Sequence, residues 1–243
     1  MKKNILYCIV VHDPNIINYF ESKNKYKSLK NYIYLLVGNH KDDFNSKKVI
    51  QCNKILNNIE NQKNFLAYTA WFLLANNIHL IPNNCDYVCL LEYDVEIMNE
   101  EDVEKFENYI YSNKHLIYGI DKMFVQDCFL ERSIFSNILE NFLIYKKYKE
   151  IKANNKYWIV SNNVVFDKNF LKKYINDKLT KEFFNFLKND KMSGHNLERF
   201  LTIYCFIKKI KYNFIEPKLF NHVSLDSHNT QNKLKYDEYI KNV

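Results

Sequence analysis

Glu92 and Asp94 close the stretch D-Y-V-C-L-L-E-Y-D that opens at Asp86, directly after the continuous apolar run Tyr87-Val88-Cys89-Leu90-Leu91. A short unbroken run of strand formers predicts a strand buried on both faces. Side chains at i and i+2 leave a strand on the same face, so the two carboxylates can converge on one object. In an open parallel sheet ligands bind beyond the carboxyl ends of the strands, where a hard cation and a phosphate would be met. The same pattern also fits a strand ending in a solvated acidic turn.

Other chemistry-bearing residues fall at comparable places. Ile5 to Val11 is a second buried strand, ending at His12-Asp13-Pro14, and Tyr32 to Val37 is a third, ending at Gly38-Asn39-His40. A helix from Ile16 to Leu29 between them makes an α/β unit, whose right-handed crossover puts both strand ends on one edge. His12, Asp13, Asn39 and His40 would then share a rim with Glu92, Tyr93 and Asp94, although each also suits a turn. Trp158 to Phe166 reads as strand, polar kink, strand. Its Ser161, Asn162 and Asn163 are expensive to bury unless something binds them, which makes them candidate substrate contacts; the bland alternative is a bulge with satisfied amides. A helix beginning at Ser193 carries His195 and, about one turn in, Glu198, a carboxylate also explicable by the positive helix terminus alone. Near the end of the chain stand His222, Asp226 and His228, which match no recognised zinc spacing.

The connecting elements follow from periodicity. Asn53 to Asn77 carries the longest helical pattern, with Ile55, Ile59, Leu66, Ala70, Leu73 and Leu74 on one side and Asn53 as its cap. Tyr68 and Trp71 lie within it and are patterned as core or surface aromatics, with Tyr68 kept as a candidate nucleotide contact. Helices are expected over Glu100 to Tyr111 and Ile134 to Tyr148, and after Asp167 through Ile175. Strands are expected over His115 to Ile120 and Ile210 to Ile215, followed by a polar C-terminal stretch.

Bulk properties set the frame. The 243 residues, 47% hydrophobic and 16% aromatic, suit one domain with an ample core and exclude a disordered polymer. A net charge of +7, spread without long runs, favours anionic ligands but lacks the dense basic stripe of a dedicated nucleic-acid binder. The six cysteines form no C-x-x-C pair and are read as reduced, pointing to a cytoplasmic setting. No apolar run approaches the length of a transmembrane helix, which leaves peripheral contact as the form a membrane association would take. Lys2 and Lys3 before Ile5 to Val11 imitate a signal peptide, but the run is short and ends in His-Asp-Pro instead of a cleavage site.

In order, then, the chain offers an N-terminal α/β half, the acidic E-Y-D, the polar S-N-N strand, a helix with H-x-x-E and a late histidine. This order resembles the nucleotide-sugar-dependent glycosyltransferases of the GT-A fold, in particular the small ones of bacteria and large viruses that decorate surface glycans. The resemblance implies an α/β, Rossmann-like mixed sheet flanked by helices as one domain over residues 1–243. A nucleotide-binding half would span about 1–98 and an acceptor-binding half about 99–231. Glu92 and Asp94 stand where that family has its D-x-D motif, with Glu in place of the first Asp. It further implies Mn²⁺ or Mg²⁺ held by Glu92, Asp94 and His222, with His228 as the reserve. The implied donor is a UDP-linked sugar and the implied acceptor a glycan or other hydroxyl compound. Glu198 matches the acidic residue beneath the acceptor, as a base if the reaction inverts the anomeric centre or as an orienting group if it retains it.

Three other readings compete. A nucleotidyltransferase shares the sheet and the metal-bound nucleotide, but His12-Asp13-Pro14-Asn15 lacks the glycines of a phosphate loop. A metal-dependent nuclease would use Glu92, Asp94 and Glu96. A non-enzymatic nucleic-acid-binding module would use the 19 Tyr and 18 Phe as stacking platforms, yet these fall largely at patterned core positions, and no nucleic-acid partner is expected.

Overall fold

The computed structural model describes residues 4–44, 46–62, 65, 67–124, 142, 157–187 and 193–222. A seven-stranded mixed sheet, ordered β3-β2-β1-β4-β7-β6-β8, carries the fold. Its strands are β1 (Asn4–Val11), β2 (Tyr32–Leu36), β3 (Val49–Gln51), β4 (Cys85–Glu92), β6 (Ile117–Phe124), β7 (Tyr157–Asp167) and β8 (Asn213–Phe214). β1 to β4 run parallel, whereas β7 is antiparallel to both β4 and β6. A separate two-stranded ladder joins β5 (Val95–Ile97) to β9 (Phe220–His222).

The central strands are apolar throughout because both their faces are covered. Leu6, Cys8 and Val10 of β1, with Val88 and Leu90 of β4, enter one core beneath α2 (Tyr68–Asn76), α4 (Lys168–Asn176), α5 (Lys178–Leu187) and α6 (Ser193–Ile207). The alternate residues Ile5, Tyr7, Ile9 and Val11, with Cys89 and Leu91, enter a second core under α1 (Pro14–Ser22) and α3 (Glu100–Asn113). On α3 the spacing of Val103, Phe106 and Ile110 puts all three on the buried face. Each such fully buried side chain contributes roughly 1.5–3 kcal/mol. The helix starts are capped: Asp13 Oδ1 accepts from Asn15 N, Asn99 Oδ1 from Asp102 N, and Asp167 Oδ1 from Asn169 N and Phe170 N. Cys8, Cys52, Cys85, Cys89 and Cys205 are buried free thiols. Among the described residues no helix is long and apolar enough to cross a membrane.

Several expected boundaries shift. The first helix stops at Ser22 instead of running to Leu29, and turns follow, with Asn24 in the left-handed region. The helix expected over Asn53 to Asn77 forms only from Tyr68. Before it lie a short 3-10 turn, Cys52–Lys54, and an irregular loop in which Asn57 has φ 59° and the Asn58 amide bonds backbone carbonyls. Asn side chains that mimic backbone partners compete with helix there. β7 is strand along its whole length, but its register against β6 slips at the polar stretch: from Gly119–Val164 to Asp121–Val160 it spends four residue steps against two, so the expected irregularity falls on Ser161, Asn162 and Asn163. The strand expected over Ile210 to Ile215 shrinks to Asn213–Phe214. Of the helix expected over 134–148 only Phe142 is described, and it is helical.

Candidate active site

Glu92 is the last residue of β4, and β7 seizes it from the side. Asn163 Oδ1 accepts from Glu92 N at 2.8 Å, and Asn162 Nδ2 donates to Glu92 Oε1 at 2.6 Å. One amide therefore fixes the backbone and the next fixes the carboxylate. Both are buried, Asn163 fully and Asn162 to within 4%. The two polar residues expected to be costly inside an apolar strand thus meet part of that cost by positioning the acidic motif. The Ser161 and His195 side chains lie outside the described set.

The turn after Glu92 is held from the opposite side. Lys25 Nζ and Tyr26 Oη both donate to Tyr93 O, at 3.0 and 3.3 Å, and the Lys25 ammonium sits 3.9 Å above the Phe20 ring. Burial pushes that ammonium down to about 7, against the pull of Glu96 and Asp94. The Tyr93 ring meets exposed His12 edge-on, with centroids 5.0 Å apart. Sequence reading missed Lys25 and Tyr26, because nothing local marks a contact made across nearly seventy residues of chain.

β5 continues directly from this turn, and its partner brings in the late histidine. The β5–β9 register pairs Val95 with His222, so β9 delivers His222 beside Asp94. The His222 side chain is outside the described set, and His228 is beyond it altogether. Among the described residues no three His, Cys, Asp or Glu side chains group as a metal cage.

The rim residues of the first half take several roles. Val37 N donates to Val11 O at 2.9 Å, so the loops after β1 and β2 start side by side. Asp13 is engaged as the α1 cap. His40 Nε2 lies 2.9 Å from Val37 O, the His40 carbonyl accepts from Asn53 and Gln51, and Asn39 is exposed. Beneath this loop lies Glu60, 2% exposed, whose carboxylate accepts from Gly38 N. Burial raises its pKa, opposed by the Gly38 N–H and the Thr69 hydroxyl. Gly38 itself has φ 98°, a conformation that favours glycine.

Tyr68 does not join the rim. It is 2% exposed, at the start of α2, with its ring against Trp71 at 4.4 Å. Burial, then the charges of Glu198 and Glu92, raise its phenol well above the ordinary value. Glu198 comes from α6, with its side chain 22% exposed and its Oε2 3.8 Å from Arg199 Nη1. The arrangement thus gathers carboxylates, amides and a phenol around the β4 terminus, on the α2 and α6 side of the sheet.

No protein-family model matches the sequence, and no curated protein matches it. Solved structures align with the chain. CMP:2-keto-3-deoxy-manno-octonic acid synthetase, solved with CTP, aligns with a TM-score of 0.50 at 10% identity, covering 98% of this chain and 100% of its own. Apo mouse xyloside xylosyltransferase 1 aligns at 0.47 and 10% identity, over 88% of this chain and 85% of its own. Glucosyl-3-phosphoglycerate synthase from Mycobacterium tuberculosis, solved with Mn²⁺ and UDP-glucose, aligns at 0.42 and 9% identity, over 98% and 78%. With a parallel β3-β2-β1-β4 half, an antiparallel β7 and helices on both faces, the chain has an α/β fold of the GT-A, Rossmann-like type.

Proposed function

We propose that the protein is a metal-dependent glycosyltransferase that moves a sugar from a UDP-linked donor to a hydroxyl acceptor. The observation that carries this reading is the β5–β9 register, which delivers a histidine from the far end of the chain to the turn holding Asp94. A carboxylate on the turn and a histidine on the strand paired next to it are ligand types that suit Mn²⁺ or Mg²⁺ and leave positions open for phosphate oxygens. Such an ion, when bound, neutralises the charge that develops on the leaving diphosphate.

The chain's own residues do the rest. Asp94 and His222 would hold the ion, with His228 in reserve, and Glu92, gripped by Asn162 and Asn163, fixes the start of the turn. The rim from His12 and Asp13 to Asn39 and His40 receives the nucleotide, and residues 99–231 receive the acceptor. Glu198 accepts the proton of the acceptor hydroxyl as the new bond to the anomeric carbon forms and the sugar–phosphate bond breaks, releasing UDP. Arg199 Nη1 lies 3.8 Å from Glu198 Oε2.

The test is calorimetry with UDP and Mn²⁺, followed by turnover on a panel of UDP-, GDP- and dTDP-sugars. Metal-dependent UDP binding that Asp94→Asn abolishes, and turnover that Glu198→Gln depresses without loss of donor affinity, are expected. Unimpaired metal-supported activity in Asp94→Asn refutes the assignment. Release of pyrophosphate from CTP or UTP, with no release of UDP from any sugar nucleotide, would point to nucleotidyl transfer.

A further inference from the structure

The polar groups around Glu92 are not evenly provided for. A carboxylate accepts hydrogen bonds and does not donate them, so the Asn162 amide must turn its Nδ2 toward Glu92 Oε1. That orientation fixes Oδ1 on the other side of the amide, where it is buried and meets no donor among the described residues. The Tyr68 hydroxyl, equally buried, also has no hydrogen-bond partner among them, although Glu92 and Glu198 lie near enough to raise its pKa. Two buried polar atoms without a partner among the described residues, one on the amide that grips Glu92 and one within the field of Glu92 and Glu198, are costly unless a ligand completes them.

The chemistry of the missing ligand follows from what is offered. Asn162 Oδ1, Glu92 and Glu198 are acceptors, and the Tyr68 hydroxyl can both donate and accept, so the wall calls for several O–H donors. Among the described residues, two carboxylates beside the Arg199 guanidinium make it unfavourable for an anion. From this geometry we infer that Asn162 and Tyr68 determine donor specificity, selecting a neutral, hydroxyl-bearing sugar and rejecting a uronic acid. The inference rests on the glycosyl-transfer reading and deepens it.

The experiment compares binding of UDP, UDP-glucose, UDP-galactose and UDP-glucuronic acid in the presence of Mn²⁺, for the unaltered protein and for Tyr68→Phe and Asn162→Ala. At least one neutral UDP-hexose should bind more tightly than UDP, and UDP-glucuronic acid should not. Tyr68→Phe should cost the neutral sugar about five- to tenfold in affinity, the worth of a hydrogen bond, while UDP affinity holds within about twofold. Its melting temperature should stay level or rise, because the change removes a buried hydroxyl without a partner among the described residues; a merely structural hydroxyl would give a fall. Asn162→Ala should erase the preference among sugars as well. UDP binding with an unchanged sugar preference in both variants, or a preference for the uronic acid, overturns this inference alone. Failure of the unaltered protein to bind any of these nucleotides overturns the glycosyl-transfer reading and this inference with it.

Discussion

Replacing Asn163 by Ala tests whether β7 holds the acidic motif in place. Asn163 is fully buried, and its Oδ1 is the acceptor for Glu92 N at 2.8 Å. Truncation leaves that N–H without this partner, at a cost of about 1–3 kcal/mol. Taking about 2 kcal/mol, and the ~2–4 °C per kcal/mol typical of chains this size, the melting temperature should fall by about 4–8 °C. Thermal unfolding followed by circular dichroism reads this directly. Asn39→Ala, on the exposed rim, is the control and should shift melting by no more than about 1–2 °C. If the Asn163 variant melts within the control's range, the amide does not support Glu92 and the clamp is misread.

Glu60 predicts a pH dependence. Its folded pKa is raised above the ordinary 4.5, so the native state binds this proton more tightly than the unfolded chain does. Stability from this group is therefore greatest at acid pH, declines as pH rises through the raised value and stays low above it. Glu60→Gln keeps an oxygen for Gly38 N and removes the charge, so it should melt higher than the unaltered protein at pH 8, with the gap narrowing toward pH 5. A gap that is constant with pH would show that Glu60 does not titrate in this window. Lys25→Met removes one of the two donors to Tyr93 O while Tyr26 keeps the other. Mn²⁺-supported UDP binding should weaken about tenfold, as for other supporting residues of metal sites, and an unchanged affinity would show that the clamp does not serve the site.

The sheet was legible where burial on both faces wrote itself into the sequence. β1, β2 and β4 are near-continuous apolar runs, and their ends at His12, Gly38 and Glu92 mark the rim. Asn162 and Asn163 stood out because an amide pair interrupts an apolar strand, and the register does slip there, although the grip on Glu92 did not follow from that. The stretch from Asn53 to Asn77 misled because Ile55 and Ile59 fall at helical spacing yet pack against the core from irregular backbone, while Asn57 and Asn58 hold the turn. Glu60, Lys25 and Tyr26 were overlooked because their partners are set by tertiary placement, which no local pattern encodes. The pairing of His222 with Val95 has the same origin; the resemblance to the GT-A glycosyltransferases implied a metal-binding role for His222 and not this register.

β7 travels against β4 and outlasts it. Their ladder ends at Leu90 and Val164, and β7 resumes its pairing with β6 only at Val160. Asn162 and Asn163 therefore sit in the bulge between two anchored stretches, where their amides are turned to Glu92, while Lys25 and Tyr26 restrain the turn from the other side. A change at position 162 would release the Glu92 carboxylate while its backbone N–H stays tied to Asn163. Side chain and main chain of the acidic motif are thus moored separately, and single substitutions along one strand can loosen either one alone.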